Sequence, residues 1–351
     1  MRWDSMESAQ PYTLVSRIWH DAAIFALYRS VAVIGAQSAQ LFLRTIGRRP
    51  ERATYVRFLV IGLPCAHEED PSTEAARLES EEVIKVLEVC AQVKHLQVRP
   101  LHPSIRSRLL AAIRSKRLES LCCLPRVASP DTPLYMADDL LRTVSTTLNQ
   151  LEMNTWTERL AAPSSIPSYP TLALVDVRII CSGAMSSICR LITAAGSTLE
   201  TLVVHIEEVF NPDVVAAALA HSTGTLRRLT YFVNPDARDH ERWYDPSVAQ
   251  VFDQILPLFQ RLTFLGTSAS QVSTNLFRLL PPSLRHIEIS SYHSNSSFRS
   301  DPSIFCALFD PSLELRITRF DLRDEGWERE DVELIRRALR ERGVTFSYVS
   351  E

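Results

Sequence analysis

A short apolar signature, Leu-x-x-Leu, recurs down the chain directly after stretches of helical periodicity, and it constrains the fold more than any other feature of the 351 residues. It reads Leu118-Glu-Ser-Leu121, Leu148-Asn-Gln-Leu151, Leu199-Glu-Thr-Leu202, Leu226-Arg-Arg-Leu229 and Leu262-Thr-Phe-Leu265, with variants Val93-Lys-His-Leu96 and Leu284-Arg-His-Ile287. With the second apolar place as the mark, Leu96, Leu121, Leu151, Leu174, Leu202, Leu229, Leu265, Ile287 and Ile317 follow one another at roughly 22 to 36 residues. Each period holds one helix and one short strand.

Helices are legible as 3.6-residue stripes: Val83, Val86, Leu87 and Cys90; Leu109, Leu110 and Ile113; Leu140, Leu141 and Val144; Val215, Ala218 and Leu219; Val248, Val251, Phe252 and Ile255; Leu276, Leu279 and Leu280. In Leu199-Glu-Thr-Leu202-Val-Val204, positions 202 and 204 share one face of a strand and 201 and 203 the other. No single helix-strand unit can bury its apolar side alone, so neighbours must stack into a continuous core. The expectation is an α/β leucine-rich-repeat-like solenoid, a horseshoe with parallel strands on the concave face and helices on the convex face. Residues 31–351 would form about ten degenerate units, preceded by a short helical segment over residues 1–30. A doubly wound sheet also alternates helix and strand, but it buries near-continuous apolar strands. These carry charge at alternate places, as in Arg227-Arg228 and Arg285-His286. The fuller repeat pattern ends in Asn/Cys-x-Leu, and here that Asn/Cys place holds Asn234 once but Arg126, Trp156, Glu207, Ser270 and Tyr292 elsewhere.

Composition narrows the function classes. The 38 basic and 41 acidic residues leave a net charge of −3 spread along the chain, which is no footprint for nucleic acid. Nine glycines are well under the usual share of about 7%, and no phosphate-cradling glycine motif occurs. Seven cysteines with irregular spacing suit a reducing compartment, with Cys90, Cys189 and Cys306 expected to pack as small hydrophobes on helical stripes. No run of 18 apolar residues and no apolar leader is present, so a protein of the cytoplasm or nucleus, away from the membrane, is expected. No His-Glu-x-x-His, Gly-x-Ser-x-Gly or paired Cys-x-x-Cys is found, and His286 and His293 lack a third ligand. No catalytic, metal or cofactor-binding residues are assigned, and an enzyme of unrecognised type would need a deep pocket with perturbed titratable groups.

Residues 12 to 33 contain Leu14-Val15-Ser16-Arg17-Ile-Trp19 and then Leu27-Tyr28-Arg29. This resembles the second half of an F-box, in which a Val-Ser/Cys-x-x-Trp helix precedes a Leu-Tyr-Arg exit into the first strand. Gln40 to Ile46, Arg48-Arg-Pro50 and Tyr55 to Ile61 are similar to the first repeat of F-box/leucine-rich-repeat proteins of mushroom-forming fungi. The family's opening Leu-Pro-x-Glu has no counterpart in residues 1–13, so the F-box is expected to be truncated or degenerate. The resemblance implies a substrate-recognition subunit of an SCF-type ubiquitin ligase, with Leu14, Val15, Trp19, Leu27 and Tyr28 docking a Skp-type adaptor. From the residues alone, Leu14, Trp19, Phe25 and Leu27 read equally as an amphipathic cap over the open end of the solenoid. The chain would then be a stand-alone leucine-rich-repeat interaction protein that has lost adaptor binding.

A protein target has two candidate surfaces. The outward strand positions His95, Gln97, Gln150, Glu152, Arg228, Thr230, His286 and Glu288 would line the concave face, and their mixed polarity suits a protein. Long strand-to-helix connections (Leu63 to Ser80, Leu124 to Ala137, Asn234 to Asp245, Ser290 to Asp301) would project from one rim. Arg238, Arg242, Trp243 and Tyr244 are of the residue types favoured at binding hot spots. The acidic stretch His67-Glu-Glu-Asp70 reads as a solvated loop.

Overall fold

The computed structural model describes residues 17–64, 73–123, 147–157, 172–182, 185–206, 212–233, 252–290, 302–310, 312–323 and 327–349. They form two compact units, Met1–Thr157 and Glu158–Glu351. In the first, α1 (Arg17–Arg29) runs directly into β1 (Ser30–Ile34), followed by α2 (Gly35–Arg48), a 3-10 segment (Pro50–Tyr55), β2 (Phe58–Gly62), α3 (Glu74–Val89), β3 (His95–Val98), α4 (Arg106–Arg114), β4 (Ser120–Cys123) and β5 (Gln150–Thr157). In the second, β6 (Asp176–Ser182), α5 (Met185–Ala195), β7 (Thr201–Ile206), α6 (Pro212–Ala220), β8 (Arg228–Val233), β9 (Phe264–Ser268) and β10 (His286–Ser290) are followed by a 3-10 segment (Pro302–Phe309), β11 (Arg319–Arg323), α7 (Arg329–Glu341) and β12 (Thr345–Val349). Within each unit every strand pairs in parallel with its sequence neighbour. Each unit is therefore an α/β repeat solenoid of the leucine-rich-repeat kind, its strands in chain order and, where the connections are described, linked through helices or 3-10 turns.

The Leu-x-x-Leu signature explains the stacking. Its second apolar residue forms a row through each unit: Leu59, Leu96, Leu121 and Leu151 in one, Val177, Leu202, Leu229, Leu265, Ile287 and Phe320 in the other. None of these is more than 1% exposed. Two residues on, Ile61, Val98, Cys123 and Met153, and Ile179, Val204, Ile289 and Leu322, repeat the pattern and are buried with the helical stripes. Full burial of each such side chain contributes about 1.5–3 kcal/mol. The alternate positions form the opposite, uncovered face.

Polar groups lock the register. At the strand starts two consecutive N–H groups donate to one carbonyl of the preceding repeat: Glu200 and Thr201 to Val175 O, Arg227 and Arg228 to Glu200 O, Thr263 and Phe264 to Arg227 O, at 2.8–3.1 Å. A hydroxyl one place before the first leucine adds a second link. Thr147 Oγ1 donates to Leu118 O (2.9 Å), Thr198 Oγ1 to Leu174 O (2.8 Å), Thr225 Oγ1 to Gly196 O (3.1 Å) and Ser283 Oγ to Leu262 O (2.9 Å). Elsewhere, the Thr73 hydroxyl caps α3 by accepting from Ala76 N at 3.2 Å. Gly35 opens α2 at φ +78°, a backbone that strains any L side chain, and a Cβ there would also have to push aside Glu79 Oε2, 2.9 Å away.

Three features depart from the sequence reading. Leu174 and Ile317 occupy the first apolar place of their repeats, and Val177 and Phe320 hold the second, because a strand needs only an apolar residue there. The stripe at Leu276, Leu279 and Leu280 yields only a 3-10 turn, Leu276–Arg278, since Pro281-Pro282 disfavours helical backbone just before it. The connection after Leu63 is shorter than expected, because α3 already begins at Glu74. The stripe at Leu140, Leu141 and Val144 and the acidic stretch His67 to Asp70 lie outside the described residues. No helix among the described residues is long and apolar enough to cross a membrane.

Candidate partner-binding face

The uncovered face collects the strand positions that alternate with the buried rows. In the first unit the strand pairing aligns Phe58, His95, Ser120 and Gln150 in one row, and Val60, Gln97, Cys122 and Glu152 in the next. The His95 ring stacks on Phe58 with centroids 6.3 Å apart. Burial, and then the adjacent Glu152 carboxylate to which the thiol donates, push Cys122 up to about 12, so it is an uncharged thiol.

In the second unit the rows are Asp176, Thr201, Arg228, Phe264, His286, Arg319 and Thr345, then Arg178, Val203, Thr230, Gly266, Glu288, Asp321 and Ser347. All four positions assigned from sequence in this unit, Arg228, Thr230, His286 and Glu288, therefore stand together on adjacent strands. Their surroundings differ. Thr230 is buried and Glu288 nearly so, with its carboxylate 3.2 Å from Arg323 Nε. His286 Nε2 lies 2.8 Å from Asp321 Oδ2, and Arg319 Nε donates to the same carboxylate at 2.9 Å. Asp321 is 5% exposed at its side chain. Burial alone would raise its pKa, but the hydrogen bonds from Arg319 and His286 outweigh it and hold the carboxyl below its ordinary range. One place further along, His205 meets Phe232 edge-on at 5.1 Å, and burial lowers its pKa so that it stays neutral.

Phe264 is the aromatic centre of this face. A Cβ at Gly266 would lie 3.2 Å from Phe264 Cε1 and 3.3 Å from the Thr230 side chain, so the missing side chain makes room for the ring. The Arg228 guanidinium rests over that ring with Cζ 3.8 Å from its centroid, and His286 meets it edge-on at 4.7 Å.

At the other candidate surface, α1 divides. Trp19 is 62% exposed. The C-terminal half touches the 3-10 segment: Phe25, itself 41% exposed, meets Tyr55 edge-on at 5.5 Å, Tyr28 accepts a hydrogen bond from Arg52 at 3.1 Å, and Leu27 is half-buried. Leu14 and Val15, like the rim residues Arg238, Arg242, Trp243 and Tyr244, lie outside the described residues. Among the described residues no group of three or more His, Cys, Asp or Glu could hold a metal. A cavity of about 260 Å³ beside the Leu276–Arg278 turn is lined by Phe277, Pro281 and Leu313 together with Arg278, Glu314 and Arg316.

No protein-family model matches the chain, and no curated protein matches it. Among solved structures, a chain from the crystal structure of the Rad7 and Elc1 complex in yeast is similar at 15% identity and a TM-score of 0.43, over 98% of this chain and 92% of that one. At that level of likeness no role is transferred from it.

Proposed function

We propose that this protein is a non-catalytic scaffold that holds another protein, the substrate-recognition subunit of an SCF-type ubiquitin ligase in the cytoplasm or nucleus. The observation that carries the binding role is the uncovered face of the sheet, where Arg228, Phe264, His286 and Arg319 stand side by side in register. Arginine and aromatic side chains held rigidly on strands are suited to protein recognition. The adaptor half of the reading rests on the F-box-like segment of α1, which presents Trp19 to solvent. An exposed Trp on an amphipathic helix can serve as one anchor in a helix-in-groove interaction.

The packing of Phe25 and Tyr28 against the 3-10 segment favours a second reading, in which α1 is only the solenoid's cap and the protein binds its partner without an adaptor. Co-purification with the Skp-type adaptor of the same organism separates the two. The receptor reading expects a stoichiometric complex with wild type that Trp19→Ala abolishes while the circular dichroism spectrum is unchanged. Absence of a wild-type complex would leave α1 as a cap.

A further inference from the structure

We infer that the uncovered face at β8 to β10 is a seat for a carboxylate, and that the bound protein presents an acidic segment there, with Arg228 as the anchoring residue. This rests on the scaffold reading and names the chemistry of what that face holds.

The inference starts from charge. On this face of the second unit the carboxylates are already engaged: Asp176 with Arg178, Glu288 with Arg323, and Asp321 with Arg319 and His286. Arg228 is the exception among the arginines of these rows. Among the described residues it faces no carboxylate, and its guanidinium lies over the Phe264 ring, exposed to solvent. A guanidinium held on an aromatic face keeps its planar fork of N–H donors, the geometry that grips a carboxylate through two parallel hydrogen bonds.

The support beneath it is rigid. Phe264 is 8% exposed, lies over Gly266 and is braced by His286, which the buried Asp321 holds in turn. Less side-chain freedom is then lost on binding than a free arginine would lose. The neighbourhood has the same sign. Arg285, at the same end of the strands, donates to the Pro282 and Leu284 carbonyls at 2.8 and 2.9 Å and, among the described residues, faces no carboxylate. Arg261, just before β9, is exposed, whereas Glu200, just before β7, is paired with Arg227 at 3.5 Å. Among the described residues, this patch of a chain of net charge −3 thus carries a local excess of positive charge, complementary to an acidic segment.

The test uses the full chain and a short labelled peptide of alternating glutamate and threonine, with a glutamine-for-glutamate control, followed by fluorescence anisotropy. The glutamate peptide should bind at least about tenfold more tightly than the control, and Arg228→Gln should remove that difference. Arg228→Lys should recover only part of it, since it keeps the charge and loses the fork. Phe264→Leu, which leaves the charge untouched, should weaken binding about threefold by freeing the guanidinium. Arg337→Gln on α7 should change nothing. Equal binding of the two peptides, no binding of the glutamate peptide, tighter binding of oligothymidylate than of the peptide, or a folded Arg228→Gln chain that binds as wild type would each overturn the inference. If the adaptor still co-purifies in such a case, the scaffold reading stands and the carboxylate seat alone falls.

Discussion

Replacing Thr198 and Thr225 with valine and Ser283 with alanine in one chain should destabilise the second unit by about 2–3 kcal/mol, with little change of shape or volume. Each substitution removes one neutral hydrogen bond of 2.8–3.1 Å between successive repeats, worth about 1 kcal/mol, and leaves the acceptor carbonyl short of a partner. The sum is set slightly below three full bonds because Thr198 and Thr225 lie in adjacent repeats and can couple. The assay is urea unfolding followed by far-ultraviolet circular dichroism, where the midpoint should fall without a change of slope. Thr193→Val is the control, because its hydroxyl donates within its own helix to Cys189 O and its loss should stay within about 0.5 kcal/mol. A triple variant within about 0.5 kcal/mol of wild type would refute the claim that these hydroxyls hold the repeats together.

The carboxyl of Asp321 titrates below its ordinary value in the folded chain, so its contribution is complete above the unfolded pKa of about 3.9 and is lost as pH falls towards the lower folded value. Asp321→Asn should therefore cost about 1–3 kcal/mol at neutral pH, a modest figure because Arg319 is half-exposed, and the gap to wild type should close in thermal melts carried below that pKa. Among the described cysteines, burial raises the thiol pKa of Cys90, to about 12, and of Cys123. Both should resist a thiol reagent in the native state at mildly alkaline pH, whereas Cys306, expected in the core but exposed because its segment is a 3-10 helix and not the α-helix of the predicted stripe, should react at once, and labelling followed by peptide mass spectrometry reads this directly.

Local pattern carried the architecture further than it carried the site. Leu-x-x-Leu and strand alternation were enough to put His95 and Gln97 on one face of the first unit and Arg228 and His286 on one face of the second, because both depend only on neighbours in the chain. The hydroxyl links were present as Thr147-Leu148, Thr198-Leu199, Thr225-Leu226 and Ser283-Leu284, but their acceptors lie a whole repeat away, and nothing local announces them. Placing the mark at Ile317 instead of Phe320 hid β11, and with it Arg319 and Asp321, the partners that hold His286. Phe264 was legible only as the x of Leu262-Thr-Phe-Leu265. Its role needs the register that sets Arg228 and His286 on either side and the glycine two residues on that lets the ring lie down. In α1, Trp19 and Phe25 belong to one apolar reading, and both stay largely exposed; only the contact of Phe25 with Tyr55 of the 3-10 segment tells them apart.

The most direct test of the scaffold account is quantitative interaction mass spectrometry on tagged wild type and on Thr201→Trp, which places a large side chain on the uncovered face of β7 beside Arg228. The account predicts that wild type recovers the Skp-type adaptor and a further protein, and that Thr201→Trp keeps the adaptor and loses the further protein. Recovery of the same set by both chains would contradict it.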